Sequence, residues 1–307
     1  MPRADLPGQC SRAVGIDRRQ HCLPCALPWP IGIWVRVRAA QGPAFPIGKV
    51  PATTPARSHR NFPLGKVPQA LLHGAGPSPW VTVVAMPDAP FAQWFEQVWS
   101  DREDRVYRSL FGDLGGGVYS AGPRVYERYG KQPHPGWLNH GVFACPPHGE
   151  RRHWLYVTSG LSNPWNLDQP GRDPSGFSGL GFELVIATPE AADWAVPLLH
   201  NLMAYELLVA VGTYEGAELF EYGNRVPLRA SITPNFDSAI RWLLIGQPEG
   251  MAQSFDLPSG RVDLFWLVGA TDAEVEFARQ THQDTLVALL QKERVWPVTD
   301  AQRRSVR

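Results

Sequence analysis

The sequence predicts an α+β domain in which a mixed central sheet is flanked by helices, and three observations predict it. Ile240-Arg-Trp-Leu-Leu-Ile-Gly246 and Val262-Asp-Leu-Phe-Trp-Leu-Val268 are apolar on both faces for most of their length, as central strands of a covered sheet must be. Two stretches carry helical spacing behind a cap: Asp88-Ala-Pro90 before Phe91, Trp94, Phe95, Val98 and Trp99, and Thr188-Pro-Glu190 before Trp194, Leu198, Leu202, Tyr205 and Leu208. Strand and helix signals do not alternate regularly, which argues against a doubly wound fold.

Composition assigns that domain to the later part of the chain. The 307 residues are 44% hydrophobic with twelve Trp, ample for a packed core. The net charge of zero hides a split: residues 1–85 hold ten Lys plus Arg against two acids, and 86–307 hold nineteen against twenty-seven. Thirteen of the thirty prolines also fall in 1–85, and no apolar period persists there. Residues 1–85 therefore read as a disordered or misassigned leader, with Met86 as the expected start and 86–307 as the folded domain. Within the leader Phe45-Pro-Ile-Gly-Lys-Val-Pro51 recurs as Phe62-Pro-Leu-Gly-Lys-Val-Pro68, too few copies for a repeat array.

Several function classes fall away on the same grounds. Arg3, Asp5 and Arg12 interrupt any secretory signal, and no apolar run approaches the about 20 residues a membrane span needs. Ten bases over 85 residues are dilute for a nucleic-acid arm, so neither nucleic acid nor membrane is expected as a partner. Cys22-Leu-Pro-Cys25 lacks the βαβ context of a redox pair and the second pair of a zinc site. The folded part keeps only Cys145, so no disulfide framework forms there, which suits a reducing, cytoplasmic compartment.

Along the folded part, the first helix runs to about Leu110, and its charged run Asp101-Arg-Glu-Asp-Arg105 reads as a solvated face with local ion pairs. Gly115-Gly-Gly117 follows a helix rather than preceding one, so it is no phosphate loop. Strands follow at Val142-Phe-Ala and Trp154-Leu-Tyr-Val-Thr, split by the turn Pro146-Pro-His-Gly149. In the next strand, Gly181-Phe-Glu-Leu-Val-Ile-Ala187, the residues Phe182, Leu184 and Ile186 share one face, and Glu183 lies opposite with Val185. A carboxylate there must be at an edge, paired, or in a site. The second helix starts at Thr188 and stops at Gly212, and Thr271-Asp-Ala-Glu274 is a capping box opening a helical stretch through about Leu290.

Chemistry was sought in three places. His134, His140, His148 and His153 cluster around Cys145, and a metal-dependent hydrolase built on the His134–His153 cluster is the alternative function. A polar turn explains the same residues, and no helix sets Cys145, His148 and His153 on one face, so no metal or cofactor is expected. No nucleophile elbow, HExxH helix or flanking carboxylate pair is present, and Ser162 in Gly160-Leu-Ser-Asn-Pro164 shapes a turn, so the reading is non-enzymatic. The loop from 163 to 181 is long and rich in Gly, Pro, Asp and Trp. In it Trp165, Asp168 and Asp173 form an aromatic anchor rimmed by carboxylates, suited to a basic or His-bearing peptide. The residues equally allow Trp165 to pack on the sheet with the aspartates as turn formers, and sequence leaves both open.

His153-Trp-Leu-Tyr-Val-Thr-Ser-Gly-Leu-Ser162 and Asp173-Pro-Ser-Gly-Phe-Ser-Gly-Leu-Gly-Phe-Glu-Leu184 resemble the signature of the suppressor of fused (SUFU) family. The resemblance continues through Trp194-Ala-Val-Pro-Leu-Leu-His-Asn-Leu202, Arg261-Val-Asp-Leu-Phe-Trp-Leu-Val-Gly-Ala-Thr-Asp-Ala-Glu274 and Trp296-Pro-Val-Thr-Asp-Ala-Gln-Arg-Arg304, covering roughly residues 90 to 307. It implies the family's N-terminal α+β domain and a protein-binding role, with Trp165, Asp173 and Glu183 at the partner site; the loop's own composition adds Asp168 to them. Pro164-Trp165 and Arg172-Asp-Pro-Ser175 depart from the animal pattern, so Gli binding is not implied. The resemblance points to a bacterial single-domain member, most specifically an immunity protein whose partner is a basic toxin.

Overall fold

The computed structural model describes residues 89–131, 140–164 and 176–307; the leader 1–85, Trp165, Asp168, Asp173 and His134 lie outside the described residues. The fold is α+β, as the sequence predicts. An eight-stranded sheet runs in the order β1-β2-β3-β4-β8-β6-β5, with β7 also paired to β8. Strands β1 (Val118–Ser120), β2 (Gly141–Cys145), β3 (Trp154–Ser159) and β4 (Phe177–Thr188) form an antiparallel meander. The sheet becomes mixed where β4 pairs in parallel with β8 (Gly260–Thr271); β5 (Arg225–Pro227), β6 (Ile240–Gly246) and β7 (Ser254–Leu257) join antiparallel.

Alternation along the strands divides the core between two faces. Phe182, Leu184 and Ile186 of β4 pack with Phe265 and Leu267 of β8 against Leu199, Met203 and Leu208 of α4 (Ala195–Ala210). On the other face Val185, Leu264 and Trp266 meet Val98, Val106, Tyr107 and Phe111 of the first helical segment. That segment is α1 (Ala89–Ser100), a π-helical turn (Asp101–Tyr107) and α2 (Arg108–Phe111); a short α3 (Pro123–Glu127) follows β1. A third cluster sits under α5 (Asp272–Gln280) and α6 (Gln283–Lys292), where Leu244 and Ala270 of the sheet meet Val275, Leu286 and Leu290.

Two helix boundaries differ from the sequence reading, each for a local reason. Thr188 does not cap α4: it is the last residue of β4, paired with Trp154, and its hydroxyl donates to Glu190 O at 2.6 Å, so the helix begins at Ala195. The helical stretch after the Thr271 capping box breaks at Thr281, and His282 caps α6 by accepting from Asp284 N at 3.3 Å. The C-terminus of α4 behaves as read: Gly212, at φ 72, turns the chain so that its own N–H reaches Val209 O and that of Thr213 reaches Leu208 O.

Candidate functional site

The connection from β3 to β4 carries Trp165, Asp168 and Asp173, and its two ends are built into the sheet. Glu183 is the centre of that construction. It is wholly buried, on the face shared with Val185, and both carboxylate oxygens are engaged. Oε1 accepts from Gly160 N and Ser162 N at 2.9 Å each and from Ser162 Oγ at 2.6 Å; Oε2 accepts from Thr158 Oγ1 at 2.6 Å. Of the three sequence options for this carboxylate, edge, pair or site, the structure places it in a pair: Arg102 Nη1 lies 3.8 Å from Oε1. Glu183 presents no surface to a partner; it holds the residues that lead into the loop.

Arg102 is the residue that sequence reasoning missed. The run 101–105 was read as a solvated face, yet Arg102 is only 1% exposed. Its Nη1 donates to Ser162 Oγ at 3.0 Å and to Asn163 Oδ1 at 2.6 Å. A signal existed: Phe95, Val98, Arg102 and Val106 follow helical spacing, so Arg102 sits on the buried stripe. The π turn then brings Arg102, Val106 and Tyr107 inward together, leaving Asp101 and Arg105 outside as the expected local ion pair at 2.5 Å. Glu103, beside Arg102, accepts from Ser159 Oγ at 2.5 Å and from Trp99 Nε1.

The network closes on itself. Thr158 Oγ1 donates to Glu183 while accepting from Leu184 N at 2.8 Å, and Ser162 Oγ donates to Glu183 while accepting from Arg102. Tyr107 OH donates to Thr158 O at 2.6 Å; burial, followed by the Glu183 charge, holds that phenol far above its usual range. A buried polar cluster satisfied in this way is rigid. Ser162 is itself fully buried, and its hydroxyl is taken up by Glu183 and Arg102 within the turn.

Backbone packing completes the stems. Leu180 N donates to Leu161 O at 2.8 Å, and Ser178 Oγ donates to Ser162 O at 2.6 Å. Gly179, at φ 55, lies so close that a Cβ would stand 2.4 Å from Asn163 O; Gly160, at φ 142, would place one 2.2 Å from the His140 ring. On the far stem Arg261 N donates to Gly176 O at 3.1 Å. The strand thus starts at Phe177, four residues before the sequence reading put it, because β8 extends alongside.

The histidine cluster does not converge among the described residues: no group of three His, Cys, Asp or Glu could hold a metal ion there. Cys145 is buried on β2, and burial pushes its thiol up to about 12. His148 forms a backbone bridge with Arg151, and burial lowers the pKa of the half-buried His153. No helix among the described residues is long and apolar enough to cross a membrane.

Comparison with known proteins places this arrangement. No curated protein matches the chain. Among solved structures it is similar to Drosophila Suppressor of Fused (23% identity, TM-score 0.43, 54% of this chain and 42% of that one), so it spans less than half of that protein. It is also similar to a chain of the Sufu–Fu complex (21%, 0.47, 72% and 93%) and to a SUFU homolog from Neisseria gonorrhoeae (19%, 0.47, 70% and 97%). Residues 136–304, more than half of the chain, match the model of the suppressor of fused protein family, and the chain belongs to that family.

Proposed function

We propose that this chain is a non-enzymatic protein-binding module, a bacterial single-domain member of its family, that captures a basic protein through the loop carrying Trp165, Asp168 and Asp173. One observation carries the reading: a buried network, in which both Glu183 carboxylate oxygens and Arg102 Nη1 are engaged, fixes the stem of that loop. Fixed stems lower the ordering cost that a long binding loop otherwise imposes on association. The family's association with protein complexes, of which Sufu–Fu is one, supports the class of function.

The partner's sign follows from charge. Residues 86–307 carry twenty-seven acids against nineteen Lys plus Arg, a field that speeds encounter with a basic protein. A secreted toxin of neighbouring cells, neutralised in the cytoplasm, is the most specific partner of that kind. Within this scheme Trp165, Asp168 and Asp173 touch the partner, and Glu183 acts through the stem as a positioning residue.

Affinity purification of the chain from its own cells, with Trp165→Ala and Asp173→Ala variants beside it, tests the proposal. A stoichiometric basic protein should co-purify and be lost from the variants while their melting temperatures stay unchanged. Equal recovery from wild type and both variants would remove the loop from the binding site.

A further inference from the structure

Strand β5 is the outermost strand at the far side of the sheet, separated from β4 by β8 and β6. Its first residue, Arg225, is 5% exposed, and its Nε and Nη1 are enclosed with no hydrogen-bond partner among the described residues. Two other arginines with enclosed side chains among the described residues have acceptors on their terminal nitrogens, although Arg102 Nε has no partner there. Arg102 meets Ser162, Asn163 and Glu183, and Arg303 meets Glu274 at 2.6 and 2.7 Å. Two enclosed guanidinium donors with no acceptor among the described residues are a costly arrangement in a protein interior, so a bound group is expected to supply the acceptor.

The surroundings specify what that acceptor is. Arg225 pairs with Leu244, which places it on the face under α5 and α6, diagonal to Trp242, the partner of Pro227. The Arg279 guanidinium lies 5.3 Å from the centre of the Trp242 ring. Arg279 is also the charge that acts on Arg225: burial first, then this like charge, lowers the Arg225 pKa. The nearby carboxylates are occupied, Glu276 by Arg279 at 3.4 Å and Asp272 by Trp242 Nε1 at 2.7 Å. Arg279 is half exposed, so the pair is approachable from solvent.

We propose that Arg225 and Arg279, around Trp242, form a binding site for an oxyanion, a carboxylate or a phosphate, at the outer edge of the sheet. Guanidinium donors match the oxygens of such groups, and the indole supplies a flat wall beside them. The proposal uses no residue of the loop carrying Trp165 and Asp173, so either assignment can fail without the other.

Thermal unfolding of the full chain in sodium chloride, sodium formate and sodium phosphate, matched in ionic strength and pH, provides the test. The midpoint should rise saturably in at least one oxyanion relative to chloride. The rise should vanish in Arg225→Met and require severalfold more anion in Arg279→Gln. Arg225→Met should itself melt no lower than wild type in chloride, since it removes an unpaired buried charge. A response to formate alone identifies a carboxylate, as from a partner's Asp, Glu or chain terminus; a response to phosphate alone identifies a free or esterified phosphate. Identical midpoints in all three salts, or an equal rise in Arg225→Met, overturn the site.

Discussion

Glu183 and Glu206 are both wholly buried, on opposite sides of the same sheet, and the chain treats them in opposite ways. Glu183 receives four hydrogen bonds and an arginine. Glu206, on α4, receives one, from Phe220 N at 2.9 Å, and its Oε1 has no partner among the described residues. Burial accordingly pushes Glu206 up to about 8, against which the single amide bond pulls only partly. Burial alone therefore does not define a buried carboxylate; the number of donors decides whether it acts as an anchor or a liability. The anchor holds the stem of the loop proposed to bind a partner.

The largest expected effect tests the anchor. Glu183→Ala strands the donors of Thr158, Gly160 and Ser162 and leaves buried Arg102 with only the 3.6 Å approach of Glu103 as counter-charge, costing about 4 kcal/mol. Urea denaturation should show this, and partner affinity should fall with it, whereas Asp173→Ala should lower affinity alone. Stability within about 1 kcal/mol of wild type would mean that the network does not hold the stem.

The liability carries the next largest effect, of opposite sign. A carboxyl raised in the folded state stabilises below its unfolded value, near 4.5, and that contribution is lost as pH rises through about 8. Glu206→Gln removes the penalty, so it should be close to neutral at pH 4 and stabilise by roughly 3 kcal/mol at pH 7. Denaturation at both pH values measures the difference, and a gain independent of pH would contradict a protonated Glu206. Glu274 gives the reverse control. Burial raises its pKa, but hydrogen bonds from Arg303, Val306 N and Thr271 N outweigh it and hold it below its usual value. Its contribution is present above the unfolded pKa and is lost as pH falls through the lowered one, so Glu274→Gln should destabilise at pH 7 and less at pH 3.

What was legible in the sequence follows the range of the interactions involved. Strand β6 and the Thr271 capping box were read correctly because alternation and caps are local patterns. Thr188 misled because Thr-Pro-Glu carries cap chemistry, while pairing with Trp154, a tertiary fact, claimed the threonine for β4. Glu183 was recognised as anomalous, but its partners were hidden: Arg102 comes from the first helical segment and Thr158 from β3. Arg102 itself stood at helical spacing from Val98 and Val106, and its charge masked its position. Glu206 and Arg225 gave no signal, since a missing partner has no sequence pattern.

The smallest effect comes from inside the same turn and sharpens the comparison most directly. Arg105 lies three residues from Arg102 and makes the shorter ion pair, with Nε and Nη2 at 2.5 and 2.7 Å from Asp101, and Asp101 raises its pKa. Distance alone would rank it above the 3.8 Å approach of Arg102 to Glu183. Exposure reverses that order: the Arg105 side chain is 64% exposed, water screens the pair, and an i,i+4 contact of this kind is worth about 0.3–0.5 kcal/mol. Arg105→Ala should therefore shift stability by about 0.5 kcal/mol or less, and Arg102→Met by about 3 kcal/mol, because the latter leaves Glu183 buried without its counter-charge. Raising salt should weaken the first contribution and leave the second nearly intact. Parallel denaturation of the two variants at low and high salt measures both, and comparable losses would show that the stem is held by the surface of the π turn rather than by its interior.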